Sequence, residues 1–200
     1  MTGALATTTF PDGGLPEVVD VVRLATFLFF AGHETTARLL SSSLQFLAEH
    51  PETQRELRED RTLIPNLVEE MLRLESPIKS DFRLTRATTT LAGVEVQADA
   101  TLMLLPGAAN RDPREFGCPA DLQLDRANAR QNVAFGRGAH SCPGAPLARS
   151  EARISMERIL DRTSGIRLSE ADHGPSDARR FDYDPTWLMR GLKSPHLEFV

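Results

Sequence analysis

Residues 134–144 read Ala-Phe-Gly-Arg-Gly-Ala-His-Ser-Cys-Pro-Gly, and they set how the rest of the chain is understood. The stretch puts one thiol, Cys142, on a glycine-rich loop directly ahead of a segment in which Ala148, Ala152, Met156, Ile159 and Leu160 recur at intervals of three and four. That period predicts a helix, with Cys142 at or just before its N-terminus, where the helix dipole favours a thiolate. Gly136, Gly138 and Gly144 remove side chains around the sulfur, so backbone N–H groups can turn toward it and a flat ligand can approach closely. A thiolate so placed is a ligand for a soft metal; the alternative reading is a buried structural cysteine.

Working outward, 200 residues with 40% hydrophobic and 26% charged content suit one globular domain with a core of its own. Only two cysteines occur, Cys118 and Cys142, far apart and without a signal peptide, so the reading is a reducing cytoplasm and no disulfide. The most apolar run, Val18 to Ala31, contains Asp20 and Arg23 and is too short to span a bilayer. A net charge of −5 gives no basic face, so neither nucleic acid nor a membrane is an expected partner.

Met1 to Pro16, rich in Thr, Gly and Pro, reads as an irregular lead-in. From Pro16-Glu17 to about His50 the pattern is one long helix, apolar on nearly every face as far as Leu40, which places it in the middle of a protein. Inside it stands Ala31-Gly32-His33-Glu34-Thr35-Thr36, polar residues where they cost most. Either the polar pair Glu34 and Thr35 has work to do, or Thr35 merely bonds back to a carbonyl one turn earlier. A zinc-binding His-Glu-x-x-His fails, because residue 37 is Ala.

Pro51 restarts a short, solvated helix, and Pro65 opens another that runs to Arg73 and is stopped by Ser76-Pro77. Glu70 and Arg73 share a face, as in any surface ion pair. Short strands follow at Phe82–Leu84, Val94–Val96 and Thr101–Leu105, then a meandering loop to Asn132. Weak strand signals close the chain at Arg167-Leu168, Trp187–Leu192 and Leu197–Val200, around a turn-rich insertion at residues 172–180. A dinucleotide fingerprint starting at Gly136 is poor, since residue 141 is Ser and no apolar strand precedes it.

Phe135-Gly136-x-Gly138-x-His140-x-Cys142-x-Gly144 resembles the haem-binding signature of the cytochrome P450 superfamily, with every defining position filled. The Ala31–Thr36 hexapeptide resembles the oxygen-facing motif of that superfamily, and Glu70-x-x-Arg73 its Glu-x-x-Arg motif. The resemblance implies a mainly α fold with small β-sheets (α+β), and haem b (iron protoporphyrin IX) with Cys142 as the axial thiolate, which favours O–O cleavage. It further implies that Phe135, Gly136, Gly138 and Gly144 shape the haem loop, that Ala31 and Gly32 leave room above the iron, and that Glu34 and Thr35 feed protons to bound oxygen. Arg83 and His140 would hold propionates by charge-assisted hydrogen bonds, with Arg86 as the rival of Arg83. Arg126 would join a buried Glu70–Arg73 pair.

The implied activity is monooxygenation of a small hydrophobic organic substrate by dioxygen, with electrons from a ferredoxin and ferredoxin reductase. Pocket candidates are Phe27, Ala31, residues 78–82 and Thr186 to Leu188, and a basic face of Arg137, Arg149 and Arg153 would dock the acidic donor. The resemblance matches only the C-terminal half of the family's usual chain. Residues 1–200 are therefore expected to be a single partial domain, with Met1 an internal methionine of a longer protein, the start of a truncated gene product, or a boundary set by where the sequence was cut. A non-catalytic remnant that binds haem weakly or not at all is the second expectation.

Overall fold

The computed structural model describes residues 7–200, so the first six residues of the predicted lead-in lie outside the described part. Helix α1, Val18–Glu49, is the long helix of the sequence reading and ends where His50 caps it and Pro51 opens α2, Pro51–Glu59. Its 32 residues make a rod about 48 Å long. A single-turn 3₁₀ segment, Arg61–Leu63, leads into α3, Ile64–Glu75. Asp60 starts that turn by accepting the Thr62 N–H at 2.8 Å.

The core forms where α1, α3 and α5, Ala145–Arg162, meet. Leu39 and Leu47 from α1, Leu67, Met71 and Leu72 from α3, and Met156 and Leu160 from α5 are all almost wholly buried. Side chains of this size contribute roughly 1.5–3 kcal/mol each when buried, so this junction holds the helices together. The N-terminal half of α1 takes no part in it. Among α1 residues only Leu39, Ser43 and Leu47 are buried, whereas Phe27, Phe29 and Phe30 are 63%, 73% and 70% exposed. The helix needs protein on every face, and only its second half is covered, because among the described residues no other element packs over the first.

Among the described residues three two-stranded antiparallel sheets flank the helices. Strand β1, Asp81–Leu84, pairs with β4, Thr101–Leu104, with Arg83 opposite Leu102. Strands β2, Thr89–Leu91, and β3, Val94–Val96, form a hairpin. Its two turn residues, Ala92 and Gly93, both take positive φ (48° and 83°), the conformation that matches strand twist in a two-residue turn. β2 was absent from the sequence reading, although its threonines ahead of Gly93 carry a strand signal. Strands β5, Ile166–Leu168, and β6, Leu197–Phe199, pair last.

The weak strand signal at Trp187–Leu192 resolves into isolated bridges, Ile78 to Met189 and Tyr183 to Leu192, with no ladder between them. Two helices of one turn, α4 (Pro106–Ala109) and α6 (Glu170–His173), were not foreseen. Among the described residues no helix is long and apolar enough to cross a membrane.

Candidate functional site

The loop before α5 is built by hydrogen bonds that begin far from it. Asn110, wholly buried, donates to Ser76 Oγ at 2.8 Å and accepts the Val133 N–H at 2.7 Å, which fixes where the loop leaves the meander. On α3, Glu69 accepts from Asn132 Nδ2 at 3.1 Å and from Arg149 Nε at 2.6 Å, and the Arg149 guanidinium lies 4.6 Å from the centre of the Phe135 ring. Phe135 is thereby held from one side by a cation–π contact. Its carbonyl accepts the Cys142 N–H at 2.9 Å, and the Gly136 N–H donates to Val133 at 2.9 Å.

Between these anchors the backbone must turn sharply. Gly136 and Gly138 take φ of 68° and 79°, a region that side chains strain to enter. Gly144, by contrast, has an ordinary φ and caps α5, and a Cβ there would make only an ordinary contact with Cys142 Sγ at 3.7 Å. Cys142 thus lies just before the helix, as expected, on an exposed part of the loop.

A cavity of about 610 Å³ opens between this loop and α1. The loop contributes Phe135, Gly136, His140 and Cys142; α1 contributes Ala31 and Thr35; Ile78, Asp81 and Arg83 close a third side. The structure therefore gathers most of the sequence candidates around one space. Of the two rival arginines, Arg83 lines the cavity and Arg86 does not. Arg83 donates to Asp81 Oδ2 at 2.5 Å, and that bond, with the Phe82 N–H, holds the Asp81 carboxyl below the usual carboxylate range.

Other candidates fall outside the lining. Phe27, Phe82 and Thr186 to Leu188 do not reach the cavity; the last three stand one layer behind its wall, where Leu188 O accepts the Lys79 N–H at 2.7 Å. Glu34 does not line it either, because its carboxylate is bound by Arg38 one turn further along α1. Gly32 leaves open space where its Cβ would stand. The Thr35 hydroxyl donates to Ala31 O at 2.8 Å, so the backbone-bonding alternative is the one adopted here, while Thr35 still faces the cavity.

The basic face differs from expectation. Arg149 is spent on Glu69, Arg153 on Glu157 at 2.6 Å, and Arg137 donates to Gln131 O at 2.6 Å, so two of the three charges are neutralised locally.

Behind the loop lies the buried ion cluster. Glu70 and Arg73 have side chains with no exposure, joined by two hydrogen bonds of 2.6 and 2.9 Å. Arg126 Nε stands 3.0 Å from Glu70 Oε1, an ionic contact without hydrogen-bond alignment, and the Gln123 N–H donates to Oε2 at 3.0 Å. Arg73 also donates to the carbonyls of Asn110, Pro119 and Asp121, so it pins the meander against α3. The surface-pair reading of Glu70 and Arg73 is thus wrong and the buried triad is present.

Burial pushes the Glu70 carboxyl up, but Arg73, the Gln123 N–H and Arg126 outweigh it, and its pKa lies below the ordinary value. Stability from this group is fully present above the unfolded carboxylate pKa of about 4.3. It is lost as pH falls through the lower folded value. Acid titration followed by circular dichroism is expected to show cooperative loss of structure only below about pH 4. Unchanged chemical stability between about pH 5 and pH 3 would contradict this assignment.

Comparison with known proteins agrees with the geometry. The family model for cytochrome P450 matches residues 17–164. The chain is 45% identical to cytochrome P450 144 of Mycobacterium tuberculosis over 84% of its own length and 38% of that protein. It is 36% identical to the cytochrome P450 monooxygenase PikC of Streptomyces venezuelae over 96% of its length and 44% of that protein. The solved structure of Mycobacterium marinum cytochrome P450 CYP150A6 in its substrate-free form superposes with a TM-score of 0.95 at 56% identity, over 99% of this chain and 49% of that one.

A thiol on a glycine loop facing a helix across one cavity is the arrangement that a haem-thiolate protein needs. The chain belongs to the cytochrome P450 family, and it spans less than half the length of the curated relatives it matches. Members of that family bind haem b, and the residues here fit it. A thiol, bare backbone at Gly136, apolar side chains, the Arg83 guanidinium and the His140 imidazole border one cavity.

Proposed function

We propose that this chain forms the haem-holding part of a cytoplasmic haem-thiolate monooxygenase, one partial domain of a longer fold. The observation that carries the reading is the shared cavity: Cys142, Phe135, Gly136, Arg83, His140, Ala31 and Thr35 border the same space. Haem b held there would supply activation of dioxygen.

The chain's own residues have separable tasks. Cys142 would be the axial thiolate, with its N–H tied to Phe135 O so that the sulfur is presented by a braced loop. Gly136 keeps that side free of bulk and Ala31 does so on the opposite wall, while Gly138, Gly144 and Gly32 would serve the turn, the helix cap and the room above the haem from outside the lining. Arg83 and His140 would hold carboxylate groups at the rim. Thr35 would hold a proton at Oγ1 by exchanging its bond to Ala31 O for one into the cavity, and Glu34 would renew that proton.

The substrate class is a small hydrophobic organic molecule, and electrons would arrive from NAD(P)H through a ferredoxin reductase and a ferredoxin. A relative of 30% identity, CYP109E1 of Bacillus megaterium, was solved in complex with corticosterone, which supports that class.

The absorbance of the reduced, carbon-monoxide-treated protein tests the reading. A thiolate-type band is expected, and haem-free protein after reconstitution would overturn it. In the haem-loaded protein Thr35→Ala is expected to divert a large share of the oxygen consumed into hydrogen peroxide. Unchanged peroxide per oxygen would remove Thr35 from the proton path.

The bare half of α1 favours a second reading for the free 200-residue chain, namely haem retention without turnover. Exposed Phe27, Phe29 and Phe30 form the kind of apolar surface that associates. Sedimentation is expected to show oligomers growing with concentration. A monodisperse monomer that couples oxygen use to product would refute this second reading.

A further inference from the structure

Glu34 is restrained by a partner outside its own motif. Its Oε1 accepts from Nε of Arg38 at 3.2 Å and from Nη2, while Nη1 of the same guanidinium stands 2.8 Å from Asp184 Oδ2. The Arg38 side chain is 13% exposed, and the hydrogen bond to Glu34, then that to Asp184, raise its pKa against the opposing effect of burial.

Asp184 belongs to a hairpin closed by the Tyr183–Leu192 bridge, in which the Asp184 N–H donates to Gly191 O at 3.1 Å. Gly191 is buried, and a Cβ there would stand 2.5 Å from Arg38 Nη1 and 2.9 Å from its Cγ. The hairpin therefore presents bare backbone where the arginine passes. Its remaining charges are committed elsewhere: Lys193 to Asp182 at 2.9 Å, and Arg190 over the Tyr183 ring at 4.0 Å and to Glu75 at 3.3 Å.

The same hairpin backs the cavity wall. Leu188 O accepts the Lys79 N–H at 2.7 Å, Trp187 O accepts from Ser80 Oγ at 2.7 Å, and the Arg190 N–H donates to Pro77 O at 3.1 Å. Pro77, Ile78 and Asp81 line the cavity itself.

We propose that Arg38 is a positioning residue that yokes the Glu34 carboxylate to the hairpin of residues 183–192, so that displacement of the wall it backs reorients the acid. The functional meaning rests on the reading of Glu34 as the proton-delivering acid. A substrate that presses on residues 77–81 would then move Glu34 through Arg38, linking occupancy of the cavity to proton delivery.

The test uses the whole 200-residue chain with side-chain carboxyl carbons labelled, and follows the Glu34 resonance by NMR and amide exchange of residues 184–191 by mass spectrometry. Asp184→Asn, although remote in sequence, is expected to move the Glu34 resonance. It should also speed hairpin exchange roughly tenfold, the effect of losing one charge-assisted hydrogen bond. Arg38→Met is expected to do both, Arg38→Lys to restore most of the protection, and Gly191→Ala to shift Glu34 by displacing the guanidinium.

A Glu34 resonance unmoved by Asp184→Asn and Arg38→Met, or hairpin exchange that Arg38→Lys fails to rescue, overturns the yoke. Glu34→Gln in the haem-loaded protein examines the underlying reading by itself. Unchanged peroxide release there removes the acid from the reaction, whatever the NMR result says about Arg38.

Discussion

Glu70→Ala is expected to destabilise the protein by about 3–5 kcal/mol, a large part of the roughly 5–15 kcal/mol that holds a domain folded. The substitution would leave two guanidinium groups, those of Arg73 and Arg126, buried without a counter-ion. Both keep carbonyl partners: Asn110, Pro119 and Asp121 for Arg73, and Gly117, Cys118 and Asp121 for Arg126. Neutral carbonyls soften the loss but do not cancel two positive charges out of water. The meander that Arg73 pins also carries Asn110, so damage would spread to the loop bearing Cys142. Denaturant unfolding measures the effect, and a loss below about 1 kcal/mol would show that the buried cluster contributes no more than a surface ion pair does.

Cys142→Ser is expected to abolish the thiolate-type carbon-monoxide band completely while leaving the fold intact. A neutral hydroxyl is a poor substitute for a soft, anionic donor. The backbone here does not depend on the sulfur: the Cys142 N–H bond to Phe135 O, the Gly136 turn and the Gly144 cap all involve main chain. Circular dichroism and denaturation midpoint should therefore match the parent within about 0.5 kcal/mol, as for an exposed substitution. Retention of the thiolate-type band would exclude Cys142 as the axial ligand and leave the other exposed cysteine, Cys118, to be examined.

What could be read from residues alone follows the distance over which each device is built. The thiol loop occupies eleven consecutive positions, so spacing exposes it, whereas the one-turn spacing of Glu70 and Arg73 shows only a shared face and their burial came from the resemblance. Arg126, far along the chain, was reachable only through the resemblance. Arg38 with Asp184 joins parts of the chain that share no motif, and Asn110, which sets the start of the loop, looked like any turn-forming asparagine.

The α4 and α6 helices are too short for a period to register. An all-round apolar α1 in a chain that matches only half of its family's length already implies a partly bare helix, but periodicity carries no information about which end is covered, and the structure shows that it is the second half. The charges of Arg149 and Arg153 looked free for the same reason: their partners, Glu69 and Glu157, are chosen by packing.

The uncovered half of α1 also has a calorimetric consequence. Unfolding raises heat capacity only through apolar surface newly given to water, about 0.45 cal/K/mol for each Å². Val18, Val22, Phe27, Phe29 and Phe30 are already largely in water in the native chain, so they add little to that change. The heat-capacity increment per residue should fall below the usual 12–15 cal/mol/K or so. The stability curve is correspondingly flatter, and the denaturant m-value smaller than chain length suggests. Any polypeptide that covers this face would add its share back, so the increment measured with and without such a partner reports directly how much of α1 has been taken out of water.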